Sequence, residues 1–233
     1  MGSRTGFRDG RDETHKLPGD KGLVRECVEL ILVCVLIVIF LRGYVVQQSQ
    51  IPSVSMEDTL LVGDTILVNR IAYAPVSFEW ERELLPTRPI RRGAVVVFKH
   101  PPGPEQDYIK RVAGLPGETL ELRNGFLFID GRRIDEPQLN ELYRAPGAFG
   151  PVRVPEDHYF LLGDHRNRSS DSRVWGPVPR ELIKGQAFLV LFSADTTADP
   201  QSPPGRVTLR SVARKLVDLV FRARWDRALR RIR

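Results

Sequence analysis

The stretch Thr119-Leu120-Glu121-Leu122-Arg123-Asn124-Gly125-Phe126-Leu127-Phe128-Ile129 decides the architecture. Two short runs of leucine, aromatic and β-branched residues flank Asn124-Gly125. That dipeptide suits a type I′ turn, which needs positive φ at both central positions, so the segment reads as a tight β-hairpin. Similar runs stand on either side: Thr65–Val68, Ala94–Phe98 and Tyr108–Val112 before it, Tyr159–Leu162 and Ala187–Phe192 after it. Gly63-Asp64, Arg92-Gly93, Pro116-Gly117 and Asp130-Gly131 punctuate them as turns. No helical pattern separates the runs. This argues against a parallel α/β sheet and predicts a mainly β, antiparallel domain over residues 47–195. Within it, residues 74–92 look like a long excursion.

Outward of this domain, the N-terminal side is apolar. Leu30–Leu41 carries no charge, and Cys27–Val46 gives about twenty residues, the length of a bilayer span. Apolar side chains cover every face, and no small-x-small cleavage site follows. A retained transmembrane helix over 27–46 is therefore expected, rather than a cleaved leader. Arg42 can snorkel to the interface, where Tyr44 is also at home. Arg8, Arg11, Lys16, Lys21 and Arg25 precede the helix, and only Arg42 follows it before Arg70. The positive-inside rule then puts a polar, disordered segment 1–26 in the cytoplasm and the β domain outside.

On the C-terminal side, residues 196–205 read as a proline-bearing linker, and 206–233 carry ten Lys/Arg against two Asp/Glu. Val212, Leu216, Val220 and Ala223 recur at helical spacing, which predicts a short basic amphipathic helix. It would lie on a membrane or pack on its own domain. The net charge of +6 is thus a property of the tail. The body has no basic stripe with interleaved aromatics, so no nucleic-acid partner is expected. Cys27 and Cys34, seven residues apart, stand ~10 Å from each other on a helix and cannot bridge. Four scattered histidines form no ligand motif. Neither a metal nor another cofactor is expected.

Three elements bear chemistry. In Ile51-Pro52-Ser53-Val54-Ser55-Met56, two serines at i and i+2 on an extended chain share a side, so one could attack while the other donates a hydrogen bond. Nine residues from Val46 span at most ~30 Å, which keeps Ser55 near the membrane surface. Lys110 lies in a strand whose face also carries Tyr108 and Val112. Burial would lower its pKa and make it a general base; the alternative is a stem along the sheet with its head in water. The block Gly163–Pro179 is a dense polar loop, either solvated or a hydrogen-bonded wall. No Gly-x-Ser-x-Gly elbow is present.

In order behind the anchor, Pro52–Met56 with Thr59-Leu60, Gly63–Val68, Arg92-Gly93 with Val96–Lys99, Tyr108–Gly117 and Gly163–Pro179 resemble the type I signal peptidase family. The resemblance implies an antiparallel two-sheet domain with a shallow apolar cleft, and a membrane-bound serine endopeptidase. Ser55 would be the nucleophile and Lys110 the general base. Ser53 and the Ser55 amide would form the oxyanion hole, Ser169 would orient the lysine, and Asp171 with Arg173 would support the loop. The implied partners are signal-peptide-bearing preproteins with small residues at the first and third positions before the cut, the lipid bilayer, and the secretion translocon. The implied home is the cytoplasmic membrane. The family usually has Pro where Asp58 stands, Asn at His165, and Asp-Asn at Asn167-Arg168. Two rival readings are a Ser/Lys processing peptidase with one dedicated substrate and a catalytically silent tethered module that binds export partners.

Overall fold

The computed structural model describes residues 22–74, 86–101, 103–194 and 223–232. The N-terminal segment 1–21, the middle of the 74–92 excursion, the linker 196–205 and positions 206–222 of the amphipathic segment lie outside the described residues. The chain divides between Ile39 and Phe40 into two units. The first holds most of helix α1 (Leu23–Phe40), which continues as a π-helical turn over Leu41–Val45. Arg25–Val45 is long and apolar enough to cross a membrane, the one such helix among the described residues. Its large apolar side chains from Val28 to Phe40 are exposed. The expected helix over 27–46 stops one residue early. Val45 O accepts from Arg70 N, and Val46 opens the first sheet ladder.

The second unit is built on two antiparallel sheets. In chain order the strands are β1 (Val46–Gln50), β2 (Asp64–Asn69), β3 (Val95–His100), β4 (Gly103–Gly114), β5 (Thr119–Arg123) and β6 (Phe126–Ile129). Then come β7 (Arg132–Arg133), β8 (Ala148–Arg153), β9 (His158–Leu162), β10 (Val178–Pro179), β11 (Ile183–Ser193) and β12 (Arg230–Arg231). The large sheet runs β1-β2-β11-β3-β4-β9-β10, with β12 paired to β11. The small sheet runs β7-β6-β5-β8. The Asn124-Gly125 hairpin forms as read: φ is +51° and +80°, and Arg123 pairs with Phe126.

All seven expected strands are present. β4 and β11 are longer than their apolar runs, at 12 and 11 residues, because both are paired on two sides. The polar β1 and the proline-bearing β8 escape the apolar-run signal. Each lies at the edge of its sheet, where polar residues and Pro are tolerated. A core of Ile51, Met56, Leu60, Val97 and Ile109 fills one face of the large sheet, and Val96, Phe98, Val112 and Leu161 fill the other. Burying each such chain contributes about 1.5–3 kcal/mol.

Over Ala223–Ile232, the described part of the C-terminal segment, the expected helix is not formed. Ala223 bridges Ala194, Trp225–Arg227 form a single 3-10 turn, and β12 pairs with β11. Arg224 N and Ile232 N donate to Ser193 O and Phe188 O, so ladder partners on β11 replace helical ones there.

Candidate active site

Ser53 enters the site extended (φ −136°, ψ 157°), and Val54–Met56 then close one 3-10 turn. The two serines therefore do not sit on one extended run as the spacing predicts. Their hydroxyls still meet, with Ser53 Oγ 3.3 Å from Ser55 Oγ. Met56 anchors the turn in the core, and Leu60 N and Thr59 N donate to its carbonyl. Ser55 is only 7% exposed.

Lys110 is in register with Val96 on the β3 side, on the face that carries Phe98 and Val112. It is 3% exposed. Its Nζ donates to Ser55 Oγ at 2.7 Å and to Ile109 O at 3.0 Å. Burial removes water from the ammonium and brings the pKa down to about 8, although the charges of Asp171 and Asp164 pull it upward. At neutral pH about a tenth of such an amine is free base. The same 2.7 Å contact serves either proton position: the ammonium donates to the hydroxyl, and the free amine accepts from it.

The polar loop encloses this pair. His165 N donates to Ser55 O at 3.2 Å, and Gly163 N donates to Asp171 Oδ2 at 3.0 Å. Asp171 is fully buried and takes two bonds from the Arg173 guanidinium, at 2.8 and 2.9 Å. It also caps the short helix α2 (Ser172–Trp175) by accepting from Arg173 N. Arg173 Nη2 ties back to Arg166 O at 2.7 Å. Gly163 has no room for a side chain: a Cβ there would stand 2.6 Å from Ser55 O and inside the Ser169 side chain. Ser169 thus lies beside the turn, but its buried Oγ has no hydrogen-bond partner among the described residues. The bond to lysine that the resemblance implies is not made.

The family model for signal peptidase, peptidase S26, matches residues 24–192. The chain belongs to this signal peptidase family. Signal peptidase I of Pseudomonas aeruginosa is 35% identical over 197 residues, covering 67% of this chain and 68% of that protein. Signal peptidase I of Leptolyngbya laminosa is 35% identical over 188 residues, covering 77% and 85%. Signal peptidase I of Aquifex aeolicus is 30% identical over 262 residues, covering 87% and 96%.

In this signal peptidase chain one cluster beside the serine–lysine pair escaped the sequence. Arg111, 4% exposed, meets Asp164 through two bonds at 2.8 and 2.7 Å. It also donates to Thr59 Oγ1 and Gly93 O. Thr59 Oγ1 in turn donates to Asp164 Oδ2 at 2.6 Å. The available signal was a second cation next to Lys110 and an acid next to Gly163, but nothing in the spacing pairs them.

Three of the four departures from the family pattern have side-chain contacts outside the serine–lysine pair. Asp58 adopts φ +100°, which a proline ring cannot reach. Its carboxylate accepts from Asn140 N at 2.6 Å. His165 stacks on Tyr143 with centroids 4.0 Å apart, and its Nδ1 lies 3.2 Å from the Glu57 carboxylate. Asn167 Nδ2 donates to Leu142 O, and Arg168 is exposed. Three of the four departures thus contact the Asn140–Tyr143 segment.

Proposed function

We propose that this chain is a signal peptidase: a serine endopeptidase that removes signal peptides from exported preproteins, with Ser55 as nucleophile and Lys110 as general base. The observation that carries the assignment of residues is the buried 2.7 Å contact between Lys110 Nζ and Ser55 Oγ. A buried amine with a lowered pKa supplies the free base that a serine needs. As Ser55 Oγ attacks the scissile carbonyl, its proton passes to Nζ. The ammonium then returns a proton to the leaving amine. The freed base next takes a proton from the water that hydrolyses the ester.

The tetrahedral oxyanion is held by the Ser55 amide and the Ser53 hydroxyl, which rotates away from Ser55 Oγ to reach it. Removing one such donor costs ~10²–10³ in rate. Ser169 orients Lys110 during turnover, and the Asp171–Arg173 pair keeps the wall in place. The substrate lies extended beside the dyad, with small side chains at the first and third positions before the cut. Helix α1 anchors the enzyme in the cytoplasmic membrane, with the N-terminus inside and the β domain outside. Lipid and the secretion translocon are its neighbours there. The excess of Lys/Arg before α1 supports this orientation.

The test is cleavage of a preprotein by the purified full chain in detergent. Ser55→Ala and Lys110→Ala are each expected to abolish it. Full activity in either variant would refute the assignment.

A further inference from the structure

The family match ends at residue 192, yet the described chain returns at 223–232 and lies against the loop that follows the nucleophile. Arg227 is buried there. Its Nε and Nη2 meet the two carboxylate oxygens of Asp64 at 3.2 and 2.5 Å, and Nη2 also donates to Thr59 O at 3.1 Å. Asp64 is fully buried and takes a further bond from Leu61 N at 2.9 Å. Burial opposes its ionised form, but the hydrogen bonds from Arg227 and Leu61 outweigh that and hold its carboxyl below the ordinary range. Arg224 Nη2 donates to Val62 O at 2.6 Å. Two arginines thus grip three points of the 57–64 loop. Ile232 adds an apolar contact to the core cluster that contains Met56, the residue after Ser55.

The loop is held from its other side by the site itself. The Thr59 hydroxyl lies between Arg111 and Asp164, while the Thr59 carbonyl faces Arg227. Asp164 precedes His165, whose N–H holds the Ser55 carbonyl. Thr59 is therefore fastened both to the wall of the active site and to the C-terminal segment. The Ser55–Lys110 contact depends on where this loop stands. A misplacement of about 1 Å at a reacting group costs ~10²-fold in rate.

We propose that Ala223–Ile232 is a strap that fixes the nucleophile loop, and that Arg227 is a positioning residue for the Ser55–Lys110 pair. The inference rests on the reading of that pair as the catalytic dyad. Arg227 touches no reacting atom; it acts through Thr59 and Asp64. Without it the loop loosens, Ser55 drifts from the amine, and water reaches Lys110.

The experiment uses the full chain in detergent with an Ala-x-Ala peptide. Arg227→Ala is expected to lower kcat by about 10–100-fold with KM within about twofold of wild type. The acid limb of the rate profile should also move to higher pH, because a rehydrated lysine is a stronger base in its resting state. A role in stability alone moves neither kcat per folded molecule nor the limb. Arg227→Lys, which keeps the cation, should recover part of both. Wild-type kcat and limb in Arg227→Ala, alongside an inactive Lys110→Ala, would overturn the strap and spare the dyad. An active Lys110→Ala would overturn the dyad reading first. A raised KM with unchanged kcat assigns the segment to substrate binding and likewise overturns the inference. Should Arg227→Ala not fold, Arg227→Gln is read in its place. If that does not fold either, the segment is a folding element and no positioning device.

Discussion

Lys110 and Arg111 are neighbours in β4, on opposite faces of one strand, and both are buried, yet their surroundings differ in kind. Arg111 meets a carboxylate through two bonds, a hydroxyl and a carbonyl. Among the described residues, Lys110 meets only a hydroxyl and a carbonyl in hydrogen bonds. The difference shows the two ways a protein can house a buried cation. A guanidinium cannot give up its proton, so it has to be paired. An amine can, and burying it with no carboxylate bonded to it lowers its pKa instead, because the ammonium loses its water. One face of the strand is thereby built for cohesion and the other for reactivity.

The sharpest way to break the contrast is Lys110→Arg, which puts a permanent cation on the reactive face. Cleavage should fall by ~10⁴ or more, as for loss of a catalytic base, with circular dichroism unchanged. Arg111→Ala attacks the other face. It strands the buried charge of Asp164 and should lower stability by about 3–5 kcal/mol, read from urea unfolding. The smallest effect concerns pH. Wild-type kcat/KM should fall about tenfold per unit below an apparent pKa of about 8, since only the free amine acts as base. Asp171→Asn removes a charge that favours the ammonium, so the limb should move to lower pH. A limb that stays in place would mean that the profile reports a group other than Lys110.

The sequence carried the strands whose apolar runs are bounded by turn residues, and the Asn124-Gly125 hairpin down to its backbone signs. It did not carry β1 or β8, because edge strands are held by backbone pairing rather than by apolar side chains. In the site, Ser55, Lys110 and the polar loop were legible as ordered blocks. The Arg111–Asp164–Thr59 cluster was not, since its members are about fifty residues apart and meet only through strand order. From Ala223 onward the C-terminal segment departs from its helical spacing for a simple reason: the period of apolar residues says nothing about a vacant ladder on β11.

The pairing of β4 also governs how the site can breathe. Lys110 is on a strand hydrogen-bonded on both sides, by β3 and by β9. Ser55 is on a single turn between β1 and β2. The base is accordingly the stationary half of the pair, and the hydroxyl is the half that travels. Any opening of the contact, by heat or by an inhibitor wedged between the two, would shift the serine while the lysine keeps its place.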